Sequence, residues 1–333
     1  MTIRFAAAMT AVALCAAPVM AQSPIKPAVT FDVGGKFDKS FNEASYNGAE
    51  AFKKKTGIAY REFEITNDAQ REQAFTRFAR DGNDPIIATG FSNGAALKKV
   101  AEQFPKTRFT IIDFVIDLPN VQSIVFKEHE GSYLVGLLAA KASKSGKVGF
   151  VGGMDIPLIR KFACGYVQGV KAGNPAAEVL QNMTGTTGAA FNDPVKGGEL
   201  AKSQIDRGAD VIYHAAGGTG IGVLRAAADA GKLGIGVDSN QNGLHPGKVL
   251  TSMLKRVEVA VENTLTAAHT GNWKPGVTVL GLAEGGVAYA LDDNNKALIT
   301  ADMKAAVDTA EAGIKSGAIK VHDYMSDQKC PVQ

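Results

Sequence analysis

The feature that most constrains this chain is a strict alternation of short apolar runs with longer segments of helical periodicity, carried through twice. Residues 28–32, 58–65, 85–89, 108–113 and 122–126 read as strands. Residues 43–55, 69–81, 93–103 and 130–144 return apolar side chains at three- and four-residue steps and read as helices. The cycle then restarts: strands at 147–151, 178–183, 210–215, 233–237 and 249–253 alternate with helices at 157–172, 193–207 and 220–230. Alternation of this kind builds parallel sheets covered on both faces. One sheet holding every strand would be unusually wide, so a second sheet is expected from Phe126 onward.

The late segments are a helix to about 269, a strand at 277–280 and a helix at 294–315, too few for a third domain. They are expected to complete both earlier units, so that the chain crosses between them several times. The expected organisation is α/β, with two doubly wound Rossmann-like lobes joined by a hinge. Residues 26–126 plus 257–283 form the N-terminal lobe, and residues 127–256 plus 284–333 the C-terminal lobe. A cleft between such lobes closes over a small molecule.

Lysine and arginine exceed aspartate and glutamate by a formal charge of only +3, and no long basic run occurs. That argues against nucleic acid as a partner, which would need excess cations to displace phosphate counterions. Residues 1–21 place Arg4 before an apolar run that ends in small residues, the pattern of a secretory signal cleaved after Ala21. A lipid anchor at Cys15 is the rival, but Leu14 is larger than the residue such a site normally has before its cysteine. A free periplasmic protein is therefore expected. After cleavage two cysteines remain, Cys164 and Cys330; one bridge or two buried thiols both fit the sequence.

Two motifs invite other chemistries. Gly90-Phe91-Ser92-Asn93-Gly94 fits G-x-S-x-G after a strand and before a helix, as in the nucleophile elbow of a serine hydrolase, with Asp238 and then His245 or His322 in triad order. The serine arrives after too few strands for that fold, and no histidine has an obvious presenting loop. Residues 217–222, GGTGIG, follow a strand and open a helix, but lack both the G-x-G-x-x-G spacing and the lysine of a phosphate loop. They either let backbone amides approach a ligand or simply make a tight turn. The five histidines are scattered without ligand spacing, so neither a metal nor a cofactor is expected.

The predicted strand ends carry a more coherent set: Asp32 with Phe41 and Asn42; Gly90 and Phe91; Asp113; Tyr213 with Gly217 and Gly218; Asp238; and Lys255. Aromatic and polar groups with little net charge suit a flat, neutral, hydroxyl-bearing molecule better than a phosphate. The segments FDVGGKFDKSFN, HEGSYLVGLLAAK, KVGFVGGMDIPLIRKFACGYVQGV, FNDPVKG, GADVIYHAAGGTGIGVL, GIGVDSNQNG and VLTSMLKRVEVAV run in order across residues 31–291. Together they resemble the basic membrane protein family, the PnrA-like nucleoside-binding proteins of ABC importers.

That resemblance implies a type I periplasmic binding protein, monomeric and not an enzyme. It would capture a purine nucleoside (adenosine, guanosine or inosine) and deliver it to a membrane permease. By motif, Phe41 would stack on the base, with Asn42 and Asp113 at its polar edge. Tyr213 would face the base from the second lobe, unless a register difference of one turns His214 inward. Asp238 and Lys255 would hold the ribose hydroxyls with help from Gly218; Asp32 would line the pocket and Phe191 close its rim. Alternatives are the same fold with a sugar or another small ligand, and the secreted hydrolase using Ser92.

Overall fold

The computed structural model describes residues 25–332, so the expected leader, with Arg4, Leu14 and Cys15, lies outside the described residues. The first half runs β1 (Ala28–Phe31), α1 (Phe41–Thr56), β2 (Arg61–Glu64), α2 (Gln70–Arg80), β3 (Ile86–Ala88), α3 (Gly94–Gln103), β4 (Phe109–Ile112) and β5 (Val121–Phe126). The second half runs α4 (Glu128–Ala142), β6 (Lys147–Met154), α5 (Pro157–Gly173), β7 (Glu178–Gly185), α6 (Pro194–Asp206), β8 (Val211–Ala215), α7 (Thr219–Asp229), β9 (Leu233–Asp238) and β10 (Val249–Lys255). The chain ends with α8 (Val257–His269), β11 (Gly276–Leu280), β12 (Val287–Tyr289) and α9 (Ala301–Lys315).

Two 6-stranded sheets result, ordered β11-β5-β4-β3-β1-β2 and β12-β10-β9-β8-β6-β7. Without their late edge strands the orders are the same, each beginning with a strand that is flanked by the second and third strands of its half. Every pairing is parallel except β12 on β10. The expected α/β architecture of two doubly wound sheets is therefore the observed one. β1, β3, β4 and β8 are buried along their whole length, as strands covered on both faces should be. Ligands of such sheets sit at the carboxyl ends of strands, where the strand order reverses. Here that point lies between β1 and β3 in one lobe and between β6 and β8 in the other.

The chain crosses between sheets after β5, after β10 and between β11 and β12. The crossings are stitched together: the Lys127 amide donates to the Leu280 carbonyl, and the Arg256 amide to Gly286. α8 packs on α1 and α9 on α4, so the late helices return to opposite lobes.

Some boundaries differ from expectation, for local reasons. α1 begins at Phe41 rather than 43, because the buried Asp38 carboxylate accepts the amides of Ser40, Asn42 and Glu43 and so caps the helix. α9 begins at Ala301, not 294: Thr300 Oγ1 accepts the Met303 amide, while Asp292 and Asn295 hold the preceding residues in turns through side-chain bonds. β12 was not expected; its three residues are too few to show periodicity. Cys164 and Cys330 are joined in a disulfide that ties the C-terminal segment to α5. Among the described residues no helix is long and apolar enough to cross a membrane.

Candidate functional site

A cavity lies between the lobes, lined by aromatic and polar side chains from both, the kind of concave, largely apolar site with a few polar groups that small molecules occupy. The first lobe contributes Asp32, Asp38, Phe41, Asn42, Gly90, Phe91 and Asp113; the second contributes Leu158, Phe162, Phe191, Gly217, Asp238 and Lys255. Each comes from a loop at a strand's carboxyl end or from the first turns of the following helix. The rims touch. Phe91 and Phe191 meet with ring centroids 6.5 Å apart across the mouth. Gly34 lies against the Phe191 backbone, and its φ of 131° is a conformation that side-chain-bearing residues rarely adopt.

Four hydrogen bonds fasten loop 39–40 of the first lobe to loop 237–241 of the second, one of them from Ser40 Oγ to the Val237 carbonyl at 3.3 Å. Ser40 Oγ donates to Asp238 Oδ2 at 2.5 Å, Ser239 Oγ to the Ser40 carbonyl at 2.9 Å, and Gln241 Nε2 to the Lys39 carbonyl at 3.0 Å. The lobes are thus closed on each other.

Lys255 is the electrostatic centre. It is 1% exposed, yet its Nζ lies 2.6 Å from Asp113 Oδ2 and 2.9 Å from Glu128 Oε1. The ammonium also stands 5.0 Å from the Phe41 ring centroid and 5.6 Å from that of Phe162, a cation–π arrangement. Burial alone would lower Lys255; Asp113, Glu128 and Asp238 outweigh it and hold the ammonium charged. Burial pushes Asp113 up to about 6, despite Lys255, and Glu128 adds to the rise. Burial likewise pushes Asp238 up to about 6 against Lys255 and the Ser40 hydroxyl. Both aspartates hold positive φ, 70° for Asp113 and 62° for Asp238. Strained backbone of this kind clusters at binding sites. Asp113 Oδ1 is buried and has no hydrogen-bond partner, so an acceptor is left open at the cavity wall.

Of the expected site residues, the fold brings Asp32, Phe41, Asn42, Asp113, Phe191, Asp238 and Lys255 together around the cavity. Tyr213 is elsewhere. Its side chain is fully buried under the sheet, packed on Phe150 and Tyr166 with ring centroids 5.4 and 5.1 Å away, and its hydroxyl pairs with Ser132 Oγ. His214 does not replace it: also fully buried, it bonds Gln241 Oε1. The register is sound, but both residues lie too early on β8. The chain reaches the cavity only at Ala215, Ala216 and Gly217. Gly218 is absent from the wall as well; it makes room for the Phe191 carbonyl.

Asn42 lines the cavity, but its Oδ1 accepts the Asp32 amide and its Nδ2 donates to the Asp32 carbonyl. It acts first as a backbone clasp. Asp32 is neutralised by buried Arg71, whose Nη1 lies 2.6 Å from Oδ1. Neither Ser92 nor any histidine lines the cavity, and His322 pairs with Asp327 instead.

Sequence reasoning missed Asp38, Arg71, Glu128, Phe162 and Lys161. Asp38 was visible in KFDKSFN as a second acid just before a helix. Lys161, inside the apolar start of α5, was visible as a charge where a hydrophobe was due. Arg71 carried no signal.

Two lobes of one topology closed over a polar and aromatic cavity define a type I periplasmic-binding-protein fold. The comparisons narrow this to one family. The model of the PnrA-like ABC transporter substrate-binding proteins (Bmp) matches residues 25–323, and the chain belongs to that family. It is 35% identical to a CD4+ T-cell-stimulating antigen of Listeria monocytogenes, over 88% of this chain and 87% of that protein. It is 33% identical to the ABC transporter nucleoside-binding protein BmpA of Lactococcus lactis, over 90% of each. A crystal structure of a solute-binding protein of an ABC transporter system from Aeropyrum pernix superposes with a TM-score of 0.83 at 30% identity, covering 89% of this chain and 93% of that one. Membership implies a ligand to be captured and a membrane permease to receive it.

Proposed function

We propose that this chain captures a nucleoside, most fittingly a purine nucleoside, between its lobes and hands it to the permease of an ABC importer without altering it. The observation that carries the reading is the pairing, in one closed cavity, of aromatic faces with an open buried acceptor. Phe41, Phe91, Phe162 and Phe191 supply the faces, Asp113 Oδ1 the acceptor. A flat base stacks on such faces whatever its substituents, gaining roughly 1–3 kcal/mol per base. Its N–H edge satisfies Asp113, and ribose hydroxyls donate to Asp238, whose charge Lys255 balances. Phosphate is disfavoured, because four carboxylates line the wall against Lys255 as the one lining cation. The nucleoside-binding name of the Lactococcus relative agrees with this reading.

The chain works as a monomer in the periplasm, released by cleavage after Ala21 rather than anchored at Cys15. Its lobes divide near residues 126, 256 and 283. Mass spectrometry of small molecules released from the freshly purified, denatured protein tests the function. A purine nucleoside at near-stoichiometric yield is expected; a sugar in its place overturns the reading. Ester hydrolysis that disappears in Ser92→Ala would install the enzyme alternative.

A further inference from the structure

Glu128 and Lys161 are charged, buried and outside the cavity wall, so ligand contact does not explain them. Glu128 opens α4, directly after the first crossing between lobes, and is 0% exposed. Its Oε1 lies 2.9 Å from Lys255 Nζ and its Oε2 2.9 Å from Lys161 Nζ. Both are close ammonium–carboxylate ion pairs, one to each carboxylate oxygen. Burial would raise Glu128, but Lys255 and Lys161 outweigh it and hold it at about 2, ionised at any working pH. Lys161 is fixed in turn: it donates to the Phe126 carbonyl at 2.6 Å and sits 3.6 Å from Asp323 of the disulfide-tied C-terminal segment.

Buried ion pairs seldom add stability over well-packed apolar residues, because desolvation cancels most of the attraction. What they do supply is position. A lysine ammonium on a flexible four-carbon stem with one partner, Asp113, could swing with the first lobe whenever the cleft opens. Glu128 supplies a second partner from the second lobe, on which Lys255 itself stands. We propose that Glu128, anchored by Lys161, is a positioning residue that holds the Lys255 ammonium at the cavity wall, ready for Asp113 and the ligand as the lobes close. The proposal takes the identity of the ligand from the nucleoside reading above; the geometry of Lys255 stands without it.

The test pairs Glu128→Gln with the double variant Glu128→Gln/Lys161→Met, which removes one charge of each sign and so preserves the buried balance. Inosine is titrated calorimetrically into each, with melting temperature recorded alongside. Truncating one partner of a buried charge pair typically weakens binding about 30-fold or more, and that loss is expected in both variants. A purely structural role predicts that the double variant recovers affinity along with melting temperature, which would overturn the proposal. A second readout needs no ligand. The slow-exchanging 15N ammonium signal of Lys255, assigned by its loss in Lys255→Met, should broaden or shift in both variants; an unchanged signal also overturns the proposal. If the wild type binds no nucleoside while this signal responds, the nucleoside reading fails and the positioning role survives.

Discussion

Asp238 gathers several constraints in one side chain. It ends β9 with positive φ, is buried, and has Oδ2 already occupied by Ser40, so one oxygen is fully available to a ligand hydroxyl. A hydrogen bond to a charged acceptor contributes roughly 1.5–3 kcal/mol. Asp238→Ala is expected to weaken ribonucleosides about 10- to 100-fold and 2′-deoxyribonucleosides much less, by competition binding; equal losses would place Asp238 off the diol. The acids also set a pH dependence. Folding raises Asp113 and Asp238 to about 6, so the folded state holds more protons than the unfolded chain at mildly acidic pH. Their contribution to stability is present in acid and lost as pH rises through about 6. Burial lowers His129 and His214 to about 4, which opposes the trend by favouring the neutral, higher-pH side. Ligand affinity has one sign: a protonated carboxyl is a poor acceptor, so nucleoside affinity should rise about tenfold per carboxyl between pH 5 and 7. A titration series over that range that is flat or falling would remove these acids from the binding step.

Among the elements, the loop between β1 and α1 does the most. Asp38 caps α1, Asn42 clasps Asp32, Phe41 faces the cavity, and Ser40 reaches the other lobe. Ser40→Ala removes the bond to Asp238 and loosens closure. Small-angle scattering of the ligand-free variant should show a larger radius of gyration than the wild type, with nucleoside affinity reduced about tenfold. Identical radius and affinity would show that this contact does not govern closure. Much of this element level was legible in the sequence, because strand and helix periods differ and the strand ends collect the loop residues that bind. What escaped was depth and pairing. Tyr213 and Ala215 share a strand and differ only in distance from its end, which sequence spacing does not reveal. A buried charge such as Glu128, one of two acids in the first turn of α4, looks in sequence like an ordinary solvated one.

At the scale of the whole molecule, two sheets of one strand order face each other, and the chain passes between them at crossings whose backbones bond one another. That construction permits bending while keeping the strand ends opposed, so a site split between lobes is completed only on closure. Phe41 and Asp113 come from one lobe, Asp238 and Lys255 from the other. The most direct measurement is calorimetric titration of ligand-stripped protein with inosine, guanosine, adenosine, uridine, free bases and ribose. Saturable one-to-one binding of purine nucleosides, stronger than uridine or any free base and with no detectable heat from ribose, is the expected result. Binding of ribose or another sugar with no response to any nucleoside would contradict the account.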